Sequence, residues 1–170
     1  MSDMGRRVVM LLMLALLPAF SSSAQYRDGA AYRELDDSET VASLKSQVRY
    51  LSSAMLEGRK AGSEGEKEAA LYVERMFKEY GIELLTPSGG DLFGLKKENG
   101  DTLTSRNVIG FVEGYDKTLR NDYIVVAARL DNIGTMTMTV DGKPVESVFY
   151  GANGNASGLA MLVELARMVK

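Results

Sequence analysis

Arg129 and Asp131 stand two residues apart just after the apolar run Tyr123 to Ala128, and Asn153-Gly154-Asn155-Ala156-Ser157 follows further on. A carboxylate after a strand sits where α/β folds place their ligands. Asp131 could therefore bind a metal, orient a ligand or act as a base, or it could be a turn-former beside Asn132 and Gly134. Arg129 could pair with Asp131 or with an anionic ligand, and such pairs are often structural. Asn153 and Asn155 flank Gly154 in a turn before a helix. Backbone N–H groups there could hold an anion, or the turn could simply require Asn and Gly. Ser157 could serve as a nucleophile only with Lys or a carboxylate as base; as a helix cap it needs neither. Glu57, Arg59 and Lys60 form a charged loop, read as solvated or packed on a sheet edge.

Composition narrows the chemistry. The 170-residue chain has no His and no Cys. It therefore lacks the commonest metal ligand and general base, and also thiolate sites and disulfides. With 45% hydrophobic and 25% charged residues it is globular in composition. A net charge of −3 gives no reason to expect nucleic acid or an anionic membrane surface as partner. Arg6, Arg7, the apolar run Val8 to Phe20 and Ser22-Ser23-Ala24 read as a signal peptide over 1–24, with export to the periplasm or the medium. A membrane anchor is the alternative, but the run is short for a span and Pro18 interrupts it. Residues 25–37 read as a flexible leader, and 38–170 as the domain.

The elements that must position these residues follow from periodicity. Val41, Leu44, Val48 and Leu51 mark one face of a helix, with Asp37 or Ser38 as N-cap. Ser63 and Glu66 make a capping box for a second helix burying Ala69, Ala70, Val73, Met76, Phe77 and Tyr80, closed by Gly81. Ile82 to Leu85 is a strand candidate, Pro87 to Gly90 a turn, and Thr86 to Leu103 a surface connection. Ser105 to Glu113 reads as a strand. Tyr123 to Ala128, apolar on both faces, reads as a central strand. Asp141-Gly142 predicts a hairpin within 135–149. A last helix buries Leu159, Leu162, Val163, Ala166 and Val169. Together these predict an α/β fold with a twisted mixed sheet.

In their order, these motifs resemble the N-terminal half of the di-zinc aminopeptidase family that includes aminopeptidase Y, bacterial leucyl aminopeptidase and glutaminyl cyclase. The likeness rests on Leu51 to Arg59 with Gly62 to Glu66, on Asn107 to Gly114, and on Tyr123 to Gly134 with Tyr150 to Gly158. It implies a zinc-exopeptidase-like three-layer fold, here truncated at the C-terminus, and two zinc ions. The family's first site motif is His-x-Asp, whose His binds zinc while the Asp orients the ligand set. Arg129 and Asp131 occupy those places. The second motif is Gly-Ala-x-Asp-x-Ala-Ser-Gly, whose Asp bridges the metals, and Gly154 occupies that place. The remaining family ligands would lie beyond Lys170.

A zinc needs about three N, O or S ligands, and a pair needs a bridging carboxylate. Arg129 would instead put a permanent cation beside the metal. The expectation is therefore no catalytic residue, no metal ligand and no cofactor, with Arg129, Asp131 and Gly154 as the remnant of a site. Three functions compete: an inactive exported peptidase-like module binding a peptide, glycan or protein; a zinc aminopeptidase with ligands supplied from elsewhere or from a longer chain; and a product without selected activity. The first is favoured. Uncovered sheet edges would call for self-association or a covering partner.

Overall fold

The computed structural model describes residues 38–170. The expected signal peptide (1–24) and leader (25–37) lie outside the described residues.

Helix α1 spans Glu39–Leu51, with the Ser38 hydroxyl accepting from Val41 N–H at 3.2 Å as N-cap. A single 3-10 turn, Ala54–Leu56, separates it from α2, Glu64–Glu79. Both ends of α2 close as the sequence predicts. Ser63 Oγ accepts from Glu66 N–H at 3.2 Å. The Glu66 carboxylate, itself buried, accepts from Gly62 N–H at 2.6 Å and from the Ser105 hydroxyl. At the other end Ile82 N–H reaches Phe77 O (2.8 Å) and Gly81 N–H reaches Lys78 O (3.1 Å), the paired bonds of a Schellman ending with Gly81 at φ +70°.

Strands β1 (Glu83–Leu84) and β4 (Gly110–Phe111) pair antiparallel, as do β2 (Asp91–Lys96) with β3 (Thr102–Asn107) and β5 (Gly134–Val140) with β6 (Lys143–Phe149). The β5–β6 hairpin turns at Asp141 and Gly142, φ +51° and +74°, as expected for two successive left-handed residues. Helix α3 spans Ser157–Val169.

The core lies between the helices. Leu51, Leu56, Ala69, Val73, Phe77 and Ile82 pack with Ala156, Leu159 and Val163. Between α1 and α3 the buried Glu164 accepts from Ser43 (3.0 Å), Gln47 (3.4 Å) and Arg167 (2.6 and 2.9 Å). These four contacts satisfy a carboxylate that burial alone would disfavour.

Helices combined with small antiparallel sheets make the protein α/β in the broad sense. One mixed sheet was expected. The described residues instead form three separate two-stranded antiparallel sheets. The reason is the segment Tyr123 to Ala128. It forms no strand, and Tyr123, Ile124 and Val125 are 70%, 96% and 86% exposed. Without that central strand nothing joins the ribbons. Three smaller expectations also fail. Ser105 to Glu113, expected as one strand, divides between β3, which ends at Asn107, and β4 at Gly110–Phe111, in separate sheets. Asp91–Lys96 and Thr102–Asn107 form a hairpin where a plain connection was expected. Val169 is exposed, not buried, at the end of α3.

Candidate functional site

The site is built around Arg59, which was expected to be solvated or at a sheet edge and is instead 1% exposed. Glu57, Gly58 and Arg59 all take left-handed backbone angles (φ +46°, +71°, +52°). This turns the chain back after the 3-10 helix and aims the Arg59 side chain inward. For the two non-glycine residues that conformation costs about 1–2 kcal/mol each, and it persists because the surroundings hold it. Asn132 N–H donates to Arg59 O (2.9 Å) and Gly134 N–H to Gly58 O (3.1 Å), while Lys60 and Asn132 form a parallel bridge.

The guanidinium then joins segments far apart in the sequence. Nε donates to Leu130 O (3.2 Å), Nη1 to Leu51 O and to Tyr150 O (3.1 Å), and Nη2 to Gly151 O (3.2 Å). Four backbone carbonyls thus take the place of a counter-ion. Burial lowers the Arg59 pKa; Asp131 opposes that shift and Arg129 adds to it.

The two candidate motifs are brought together. Arg129 Nε lies 3.5 Å from Asp131 Oδ1 and 3.3 Å from the Asp131 carbonyl oxygen. Both side chains are substantially exposed, so this pair is weak. Asn155 Nδ2 donates to Arg129 O at 3.5 Å. Asn132, a residue the motif reading passed over, is buried and donates to Phe149 O at 2.7 Å. Its side-chain oxygen lies 3.4 Å from the point where a Cβ on Gly154 would sit. Asp131 thus lies beside the Arg129 guanidinium and within the electrostatic reach of Arg59, with Gly154 bordering Asn132 next to it.

Ser157 opens α3 and is not its N-cap. That position falls to Ala156 in helical conformation, with no side-chain bond closing the helix. The turn ahead of it is held instead by Gly154 N–H and Ala156 N–H, both donating to Gly151 O at 3.1 Å. Asn153 is exposed.

The donor set does not fit two zinc ions. Of the three positions matched to the family motifs, only Asp131 carries an oxygen ligand. Among the described residues no group of three His, Cys, Asp or Glu side chains is placed to share an ion. Arg59 and Asn132 were missed because an Arg beside Gly in a polar loop is compositionally a surface residue. Its acceptors at 130, 150 and 151 are distant in sequence, and nothing local announces them. No family model, curated protein or solved structure matches this chain.

Proposed function

We propose that this chain is an exported, catalytically inactive domain of aminopeptidase-like ancestry and zinc-exopeptidase-like fold, acting as a binding module for a peptide or protein. The observation that carries the reading is the charge arrangement around Asp131. Its carboxylate sits in the field of buried Arg59 and 3.5 Å from Arg129. A dication placed there would face two permanent cations and find one carboxylate, with no side-chain oxygen at Gly154 to bridge to a second ion. The same Asp131 and Arg129, both substantially exposed, offer one acceptor and one donor side by side, suited to the ammonium and carbonyl groups of a peptide.

Two measurements test this. Elemental analysis of the purified chain is expected to give well below one zinc per molecule, with no hydrolysis of amino-acyl substrates. Stoichiometric zinc with hydrolysis lost to chelator and regained with zinc would sink the proposal in favour of an active aminopeptidase. A library of short peptides with free N-termini, screened by fluorescence anisotropy, is expected to yield binders weakened at least tenfold by Asp131→Ala. Finding no such binder, or binders indifferent to Asp131, would also refute it.

A further inference from the structure

Glu113 to Asp122 is polar and holds Gly114, Asp116 and Asn121, residues that favour turns over regular elements. The run Tyr123 to Ala128 that follows it forms no strand. Val112 to Arg129 therefore contains neither helix nor strand, and every residue from 113 to 127 is exposed, Tyr115 completely. The bonds within this strap are its own. The Thr118 N–H and hydroxyl both donate to Asp116 at 2.7 Å, and Asp122 N–H donates to Leu119 O at 2.8 Å. Arg120 lies 3.5 Å from Glu113, with both side chains exposed. Among the described residues no backbone–backbone hydrogen bond ties 113–127 to another segment. Its ends are anchored, because Val112 and Ala128 pack partly buried against the core.

A protease must draw several residues out of the fold into its own cleft, so it cuts where local opening costs least. Most other basic residues are better guarded: Arg59 is buried, Arg75 lies within α2, and Lys96 and Lys143 are paired in hairpins. Lys117 and Arg120 stand in the strap. We propose that residues 113–127 are a site of endoproteolytic processing, which converts the chain into two pieces that stay assembled. Hydrolysis after Lys117 or Arg120 breaks one peptide bond. Water gives its hydroxyl to the new carboxyl group and a proton to the new amine of Thr118 or Asn121.

A cut there severs no strand ladder. The β1–β4 and β2–β3 pairs both precede the strap, and the β5–β6 hairpin follows it. What joins the two sides is non-covalent and lies away from the cut. Leu51, Val73 and Phe77 on one side pack with Leu159 and Val163 on the other. Glu164 accepts from Ser43 and Gln47 of α1. Arg59 donates to the carbonyls of Leu130, Tyr150 and Gly151. Each of these contacts survives loss of a peptide bond in the strap, so the nicked protein keeps its core.

The test is brief digestion of the folded full chain, read by intact mass, with two probes of different specificity. Trypsin cuts after Lys and Arg, and chymotrypsin after large apolar residues. Within residues 38–170 the first trypsin cut is expected after Lys117 or Arg120, and the first chymotrypsin cut after Tyr115, Leu119 or Tyr123. Agreement between the two probes would show that the fold, and not one favoured side chain, selects the place. The pieces are expected to co-elute in size exclusion with unchanged helical circular dichroism, and to part in urea. Lys117→Gln with Arg120→Gln changes two exposed side chains. It is expected to slow the trypsin cut at least tenfold and to leave the chymotrypsin cut as it was. A first cut by either enzyme elsewhere in 38–170 would overturn the proposal. So would pieces that separate without urea or lose their helical signal, or a double variant that trypsin cuts in the strap as fast as wild type.

Discussion

Replacing Arg59 tests whether this buried cation organises the domain. In Arg59→Met the stem is replaced by apolar volume, while the carbonyls of Leu51, Leu130, Tyr150 and Gly151 lose their donor. A hydrogen bond from a charged group contributes about 1.5–3 kcal/mol, and a buried acceptor left unpaired costs about 1–3 kcal/mol. Four such acceptors would suggest a larger loss than will be seen, because removing the guanidinium also relieves its own burial, which costs several kcal/mol without a carboxylate partner. The net expectation is about 3–5 kcal/mol. That is a large share of the 5–15 kcal/mol typical of a whole domain. Arg59→Lys keeps the charge, but one ammonium cannot reach acceptors spread around a planar fork, so about 2–3 kcal/mol should still be lost. Arg129→Ala is the control: its partner is exposed, and the loss should stay below about 1 kcal/mol. Urea unfolding followed by circular dichroism at α1 to α3 provides the measurement. If Arg59→Met lies within about 1 kcal/mol of wild type, or Arg59→Lys matches wild type, the four-carbonyl account is wrong.

Gly134 has φ +81°, and a Cβ there would lie 2.5 Å from Lys60 Cβ; Gly134→Ala should cost about 2–4 kcal/mol in the same assay. Gly154 has φ −128° and its nearest neighbour at 3.4 Å, so Gly154→Ala should change stability by less than about 1 kcal/mol. Burial, followed by the influence of Tyr80, raises the Tyr72 pKa. The unfolded phenol then ionises first, so the contribution present below about pH 10 is lost as pH rises through the folded value. Tyr72→Phe should accordingly flatten the fall in urea midpoint between about pH 9 and about pH 11, and an unchanged slope would contradict the assignment. Arg129→His with Gly154→Asp should fold normally yet bind zinc only weakly by calorimetry, because Asp131 remains in the field of Arg59.

What was legible in the sequence was local. The α2 boundaries rest on Ser63, Glu66 and Gly81, each acting within a few residues, and the β5–β6 turn rests on Asp141 and Gly142. Composition could not say whether Tyr123 to Ala128 has neighbours: a run apolar on both faces fits a covered strand, but strand pairing depends on residues elsewhere. The β2–β3 hairpin escaped notice because Asp91–Lys96 is exposed along its whole length and carries no alternation. Arg129 and Asp131 are adjacent as their spacing implies, and Asn155 of the second motif reaches the Arg129 carbonyl. Arg59 was misplaced because three of its four acceptors, at Leu130, Tyr150 and Gly151, come from two remote segments.

Within the site, the contacts that hold the backbone are distinct from the side chains it presents. Its shape is fixed by Arg59 binding Leu130, Tyr150 and Gly151, by Asn132 binding Phe149, and by the backbone bonds from Asn132 to Arg59 and from Gly134 to Gly58. None of these contacts uses the side chain of residue 129, 131 or 154. Arg129 is exposed and loosely paired, and Gly154 has room around it. Substitution at those two positions is therefore expected to cost the fold little. Substitution at Arg59, Asn132 or Gly134 would dismantle the backbone on which any ligand, metal or peptide, would have to be held. The residues that shape this site and the side chains it presents to solvent are separate sets, so either can be changed while the other is measured.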